Sequence, residues 1–173
     1  MKNLAPLRVL LSLYYALFHS HLNYGICVWG NAPAQELNHI FLAQKKVLRI
    51  ITNSDYLANT DPLFKKTGIL KLEDIFNLQM SSLMWDFENG TLPQCFANYF
   101  TKVNQRHNHF TRLANSGKYL TSERFNTHAH GETMFKFKGS RLWNSILELP
   151  FYHSNIKKPT FRKKYKTHLI SLY

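Results

Sequence analysis

Apolar side chains recur at helical spacing in several separate stretches of this sequence, and this periodicity restricts the possible folds more than any other feature. Residues three and four positions apart share one face of an α-helix, so each stretch predicts a helix with one buried side. Glycine, proline and asparagine residues separate the stretches, where helices are expected to end. The sequence therefore predicts a mainly α protein, an irregular helical bundle. The main stretches are residues 7–18, 34–52, 72–87 and 160–172.

The first predicted helix, residues 7–18, is apolar over more than half of its circumference. A helix of this kind is usually buried on several sides, so we expect other parts of the protein to cover it. Its apolar run is too short to cross a bilayer. The sequence that follows, His19-Ser20-His21, is a poor site for a signal peptidase. We therefore expect neither a membrane span nor a membrane partner.

Residues 101–139 have a different character, because they are polar, rich in histidine and without a helical stripe. Weak alternation of apolar and polar residues at 118–121 and 134–138 predicts two short strands. These strands would form a small two-stranded β element in the C-terminal half of the chain. We accordingly divide the sequence into a helical region, residues 1–100, and a basic extension, residues 101–173, with short strands and a terminal helix.

The charge is strongly positive and unevenly distributed. The chain has 22 Lys and Arg against 10 Asp and Glu, a formal net charge of +12. Residues 101–173 alone hold fourteen basic and three acidic side chains. Such an asymmetry indicates a polyanionic partner, of which nucleic acid is the most common and an anionic membrane surface the next. The alternative interpretation is a basic surface that simply keeps the protein soluble.

Residues 34–52 combine an apolar face with a basic ridge, which we define as Lys45, Lys46 and Arg49. Lys45 and Arg49 are like charges one helical turn apart, an arrangement that costs roughly 0.2–0.5 kcal/mol. A phosphate backbone along the helix would convert this repulsion into attraction. In the alternative, the ridge is a solvated helix face. We take its three residues as candidate contacts to a nucleic-acid duplex.

Further candidate contacts lie in the basic extension. Arg112 is one of them, but it has an alternative role as a buried residue that joins the irregular segment to the helices. Phe161 and Tyr165 alternate with basic residues, as in many nucleic-acid binders, yet their helical spacing favours a buried face. The other candidates are Lys163, Lys164 and Lys166.

The residues needed for catalysis are scarce. Polymerases and nucleases that use divalent metals need clustered carboxylates. The only adjacent carboxylates, Glu73-Asp74, lie at a predicted helix start, where negative charge stabilises the helix dipole. The seven glycines are scattered, so no phosphate-binding loop is present. The sequence predicts no catalytic residue.

Nine histidines and two cysteines raise the question of a metal site. Three histidine pairs have His-x-His spacing, which places both rings on one face of a strand but not of a helix. We favour structural or nucleic-acid-contacting histidines and expect no metal and no cofactor, although a metal-dependent hydrolase remains an alternative. We interpret Cys27 and Cys95 as small buried residues in a reduced compartment. The pairs are His19 with His21, His107 with His109 and His128 with His130.

A series of short motifs resembles the region that follows the polymerase core in reverse transcriptases of jockey-like non-LTR retrotransposons. The motifs occur in the order expected of that family and span almost the whole chain. One departure is His109, where the family pattern has tyrosine. The motifs are LYY at 13–15, HLNYG at 21–25, VWG at 28–30, LAQKKVLRII at 42–51, DPLF at 61–64, LKLEDI at 70–75, HNHFTR at 107–112, GSRLWNSI at 139–146 and FRKK at 161–164.

The resemblance implies a thumb-like helical region and the C-terminal extension of an RNA-directed DNA polymerase. The family's catalytic Tyr-x-Asp-Asp box precedes this region and is absent here, so the chain is expected to be a fragment that is inactive alone. Its expected partner is RNA or an RNA–DNA duplex, held through the phosphates. The alternative is an inert retroelement remnant, or a docking module that packs on a polymerase core supplied by another chain.

Overall fold

A computed structural model describes residues 5–106, 116–122 and 135–173, and these residues are mainly helical. This confirms the predicted helical character. A π-helical segment, Tyr14–His19, follows the first helix, and a 3-10 helix covers Gln94–Phe96. The α-helices are α1 (Leu7–Leu13), α2 (Ser20–Asn23), α3 (Ile26–Trp29), α4 (Ala34–Ile51), α5 (Asp61–Thr67), α6 (Leu72–Glu88), α7 (Val103–Arg106), α8 (Phe135–Leu147) and α9 (Lys158–Ser171).

The predicted two-stranded β element is wrong. In the described part of the chain, an isolated antiparallel bridge between Lys102 and Leu120 is the only β pairing. Of the predicted strand 134–138, residue 134 lies outside the described residues and residues 135–138 form the first turn of α8. The helical register extends through Gly139, Trp143 and Ile146, which are buried at intervals of four and three residues. This longer period outweighs the short alternation that suggested a strand.

The chain forms two compact units. The first contains Met1–Phe76 and Tyr165–Tyr173, and the second contains Asn77–Lys164. The boundaries between the units fall inside α6 and α9. The predicted division into a helical region, residues 1–100, and a basic extension, residues 101–173, was based on charge and local pattern, and it stays a prediction.

The core of the first unit contains residues from α4, α5 and the π-helical segment. Partly buried apolar side chains from α1 and from Tyr173 pack against this core. No residue of α1 is buried, and in the whole predicted helix 7–18 Tyr14 alone is, so the expectation that this helix would be covered on several sides is wrong. The buried cluster consists of Tyr14, Leu48, Ile51, Phe64 and Ile69.

A buried amide crosses this core. Gln44 on α4 is fully buried, and its Nε2 donates hydrogen bonds to Tyr14 Oη at 2.9 Å and to the Leu70 carbonyl oxygen at 2.8 Å. The Gln44 Oε1 is buried and has no hydrogen-bond partner among the residues that the structure describes. Because a carbonyl oxygen can only accept, Leu70 determines which way the amide points.

The core of the second unit is built around α8. Trp143 and Phe161 are both fully buried, and their rings meet edge to face with centroids 6.1 Å apart. Asn144 holds the backbone of Leu120 by two hydrogen bonds, one to its N–H at 2.9 Å and one to its carbonyl at 2.8 Å. In the first unit Tyr165 is also buried, so the interpretation of Phe161 and Tyr165 as a buried face is confirmed.

Candidate nucleic-acid interface

The basic ridge lies on α4, opposite to the side that enters the core. The helix begins after Pro33 and buries Gln44, Leu48 and Ile51. The resulting register leaves Lys46 exposed and places Lys45 and Arg49 half-buried at the border of the exposed face. The amphipathic pattern therefore brings all three cations to one side of one helix, as the sequence predicts.

Lys45 is held by an aromatic neighbour on its own helix. Its Nζ lies 4.3 Å from the centroid of the Phe41 ring, within the range of a cation–π interaction. The Phe41 ring in turn stacks on the buried ring of Phe64, with centroids 6.2 Å apart. The Lys45 ammonium is thus positioned by the core and still keeps donors available for an anion.

Arg49 has a structural partner that the sequence did not reveal. Its Nε and Nη2 both donate to the carbonyl oxygen of Ala58, at 3.1 and 3.0 Å. Ala58 closes a turn in which its N–H donates to the Asp55 carbonyl oxygen at 3.0 Å. The guanidinium therefore joins the C-terminal end of α4 to the loop that follows, and only part of its donor set faces solvent.

Three acidic side chains of the described residues form ion pairs with lysines outside the basic ridge. Ion pairs join Lys71 to Asp61 at 2.8 Å and Lys102 to Glu88 at 2.9 Å, and a further pair joins Lys158 to Asp86. Among the residues that the structure describes, none of the ridge cations takes part in an ion pair. No carboxylate of the described residues therefore neutralises the ridge.

The candidates on α9 differ from one another. Lys163 and Lys164 are exposed and belong to the second unit, whereas Lys166 is half-buried in the first. The Lys166 Nζ lies 6.0 Å from the ring centroid of Tyr15, and burial lowers the pKa of this ammonium. Arg112, the remaining candidate, lies outside the described residues.

Of the three histidine pairs, the structure describes His19 with His21. His19 is half-buried in the π-helical segment, and its buried Nδ1 has no hydrogen-bond partner in the described ranges. Burial lowers the pKa of His19, and the charge of Lys166 lowers it further. The other two pairs lie outside the described residues, which contain no group of three or more His, Cys, Asp or Glu able to hold a metal.

The interpretation of both cysteines as buried residues is wrong for Cys95, which is exposed, and Cys27 is only half-buried. Burial nevertheless raises the pKa of the Cys27 thiol. Neither residue is placed among metal-ligating groups within the described ranges.

Sequence reasoning missed three exposed apolar side chains near the basic ridge, which we call the apolar patch. Tyr56 and Leu57 are 74% and 88% exposed in the turn that Arg49 holds, and Ile50 on α4 is 73% exposed. A signal for this patch exists in the sequence. Tyr56 and Leu57 are the only large apolar residues in residues 53–59, where the others are Asn, Ser, Asp and Ala, a composition typical of a turn rather than of a core segment.

None of the helices in the described ranges has the length and hydrophobicity needed to span a bilayer. Comparisons of the chain with family models, with curated proteins and with solved structures found no match.

Proposed function

We propose that this chain binds RNA or an RNA–DNA duplex through the phosphate backbone, as a non-catalytic thumb and post-thumb fragment of a retrotransposon reverse transcriptase would. The observation that carries the proposal is the basic ridge on α4, whose cations form no ion pair within the described residues. The family assignment depends on the sequence resemblance alone. The proposed role is to hold template and primer, and we expect no nucleotide transfer by this chain alone.

Electrostatics favours a phosphate partner for the ridge. Lys45 and Arg49 repel each other across one helical turn, and no carboxylate of the described residues relieves this repulsion. A phosphate placed between them would attract both. Since phosphate contacts carry no base information, the binding would be independent of sequence. Lys163 and Lys164 are exposed cations that would add further contacts.

The number of phosphates contacted can be measured from the salt dependence of binding. Three ridge cations that each neutralise one phosphate give a slope of log affinity against log salt of about −3 on a duplex. The assay is fluorescence anisotropy of a labelled RNA–DNA duplex between 50 and 200 mM salt, a range in which such binding changes strongly.

A pair of charge-matched variants tests the assignment to α4. Lys46→Gln removes an exposed ridge charge and is expected to reduce the slope by about one, equally for duplexes of unrelated sequence. Lys66→Gln removes the same charge from an exposed position on α5, outside the ridge, and is expected to leave the slope closer to that of the wild type. Binding that is insensitive to salt, or absent at low salt, would reject the proposal.

A second candidate function is protein docking, and the exposed face of the first helical segment favours it. Val9, Leu13 and Leu17 are 46%, 48% and 66% exposed at intervals of four residues, so they form one apolar stripe. Contiguous apolar surface of this kind marks interaction sites in soluble proteins. In this candidate the occupant is a polymerase core supplied by another chain, the partner that the resemblance implies. An open groove on the same segment is lined by Leu7, Arg8, Leu11, Ser12, Tyr15 and Ala16.

Self-association separates the two candidates. Without its partner, a docking module is expected to self-associate through the stripe in sedimentation velocity runs at rising concentration and to bind little nucleic acid. A variant with Val9, Leu13 and Leu17 replaced by serine is then expected to remain monomeric. A monomeric wild-type protein that binds duplex with a steep salt slope would instead exclude docking as the main function.

A further inference from the structure

The turn after α4 displays two large apolar side chains to solvent. Tyr56 and Leu57 are its two central residues, and they are 74% and 88% exposed. A hydrogen bond from the Ala58 N–H to the Asp55 carbonyl oxygen, 3.0 Å long, closes the turn. Central turn positions are usually occupied by Gly, Pro, Asn, Asp or Ser, so a tyrosine–leucine pair at these positions is unusual.

The exposure of this pair is built into the structure, because the turn is anchored at both ends. At its far end, the Arg49 guanidinium makes two hydrogen bonds to the Ala58 carbonyl oxygen, at 3.1 and 3.0 Å. At its near end, the Ser54 N–H donates to the Arg49 carbonyl oxygen at 3.0 Å, and the Ser54 hydroxyl lies 2.9 Å from that of Thr52. Anchors of this kind hold the two side chains away from the core.

The turn and the basic ridge lie side by side. Arg49 belongs to the ridge and contacts the turn directly. Ile50, 73% exposed, is one helical turn from Lys46, so their side chains are neighbours on the helix surface. Three exposed apolar side chains, Ile50 on α4 and Tyr56 and Leu57 in the turn that Arg49 anchors, are therefore near cations that form no ion pair within the described residues.

We propose that Tyr56 is a stacking platform for an unpaired base of a bound nucleic acid, with Leu57 and Ile50 packing beside that base. This inference rests on the proposed function, because the phosphates next to the base would lie on Lys45 and Lys46. Aromatic rings beside a positively charged groove are the usual means by which proteins hold single strands without sequence preference. The exposed carboxylate of Asp55 repels phosphate and directs the strand toward the α4 side of the turn.

The size and charge of the patch favour a nucleotide over the other possible occupants. Three apolar side chains are far fewer than the 20–30 or so residues that each side of a standard protein interface uses. An interfacial membrane anchor needs a long amphipathic helix or two independent signals. One base with its flanking phosphates matches one aromatic ring with its flanking cations.

The test uses the full chain and a single-stranded oligonucleotide that contains the fluorescent base 2-aminopurine, whose emission is quenched by stacking. Tyr56→Ala is expected to weaken binding by roughly 5- to 150-fold, which corresponds to the energy lost when one stacking residue is removed. The salt slope stays unchanged, because no charge is lost. Tyr56→Phe keeps the ring and is expected to bind and quench like the wild type.

A matched control is available within the same unit. Tyr24 is 85% exposed and its backbone carbonyl, not its ring, accepts the Trp29 indole hydrogen bond, so Tyr24→Ala removes an equally exposed ring without breaking that bond. If Tyr56→Ala and Tyr24→Ala bind and quench alike while the wild type keeps its salt slope, only the stacking platform is refuted. If the wild type shows no salt-dependent binding, the proposed function fails as well. Tyr56-dependent cosedimentation with phosphatidylserine vesicles, without an effect on oligonucleotide binding, would also overturn the inference.

Discussion

Replacement of the buried amide of Gln44 tests how much its hydrogen bonds stabilise the core against which α4, the helix with the basic ridge, packs. Gln44→Leu removes two hydrogen bonds, each of which contributes about 0.5–1.5 kcal/mol. It also leaves the Leu70 carbonyl oxygen buried without a donor, at a cost of about 1–3 kcal/mol. Two effects offset part of this destabilisation. The substitution removes the Oε1, which is buried without a partner among the described residues, and it adds an apolar side chain to the core. We expect the free energy of unfolding to fall by about 2 kcal/mol.

The measurement is urea-induced unfolding, followed in parallel by circular dichroism and by tryptophan fluorescence so that a departure from two-state behaviour is visible. A double-mutant cycle with Tyr14→Phe isolates the bond from Gln44 Nε2 to Tyr14 Oη, which is 2.9 Å long. We expect a coupling energy of about 0.5–1.5 kcal/mol. The two probes should give the same midpoint if the first unit unfolds with the rest of the chain.

A near-isosteric replacement of the same side chain has a different, pH-dependent effect. Gln44→Glu keeps the volume but places a carboxyl group where the amide donated to Leu70, and a buried unpaired charge costs about 3–5 kcal/mol. The folded-state pKa of this carboxyl would lie above its unfolded value, so stability at neutral pH is low and returns as the pH falls. A Gln44→Leu variant as stable as the wild type, with no coupling to Tyr14, would refute the amide bridge.

Three further predictions concern other parts of the fold. Gly30→Ala is expected to lower stability by about 1–3 kcal/mol in thermal unfolding, because its Cβ would lie 2.5 Å from a backbone oxygen and 2.6 Å from a phenyl ring. Asn144→Ala is expected to speed amide hydrogen exchange at Leu120 by an order of magnitude or more, and unchanged exchange would contradict the two hydrogen bonds seen there. Burial raises the pKa of Tyr14 and of Tyr152 to about 12 from a usual value of 10.0. The tyrosines therefore lose their protons at lower pH in the unfolded state than in the folded state. The free energy of unfolding should then fall as the pH rises from 10 toward 12, and a urea midpoint that stays constant over that interval would contradict this prediction.

The long helices α4 and α6 show what a linear sequence can specify. The expected spans 34–52 and 72–87 agree closely with α4 and α6, because a stripe with three- and four-residue spacing that continues over four turns has few competing interpretations. Shorter signals were less reliable. At residues 135–138 two phenylalanines alternate with two lysines, and only the continuation of the stripe to Trp143 distinguishes a helix from a strand.

The hydrophobic pattern did not predict the π-helical backbone of residues 14–19. The apolar spacing of residues 7–18 fits one regular helix, but the chain changes to π-helical hydrogen bonding at Tyr14. A π-helical turn has a different hydrogen-bond register with almost the same side-chain pattern, so hydrophobic periodicity does not report it. The exposure of Val9 and Leu13 was missed for a related reason, since a nearly uniform apolar helix gives no indication of which side is left uncovered.

The candidate site was predictable only where it depends on one helix. Lys45 and Lys46 share a side of α4 with Arg49 because of the helical repeat alone, and the structure places them there. The contact from Arg49 to Ala58 spans nine residues and depends on a turn whose path no local rule determines. The composition of residues 53–59 indicates a turn, but the position of the exposed Tyr56 ring relative to the ridge depends on that same path.

The three cations of the ridge are therefore not equivalent, and the difference follows from the shape of their side chains. An ammonium group is a compact point charge, whereas a guanidinium is a planar fork with five donors. Arg49 uses two of these donors on one carbonyl oxygen and keeps others on the opposite edge of the plane. In the proposed interface, Lys45 and Lys46 supply most of the charge that meets the phosphates, while Arg49 fixes the turn that carries Tyr56 relative to them. Arg49 is part of the ridge and also anchors the turn. This one side chain would therefore set the distance between the phosphate contacts on Lys45 and Lys46 and the stacking ring of Tyr56.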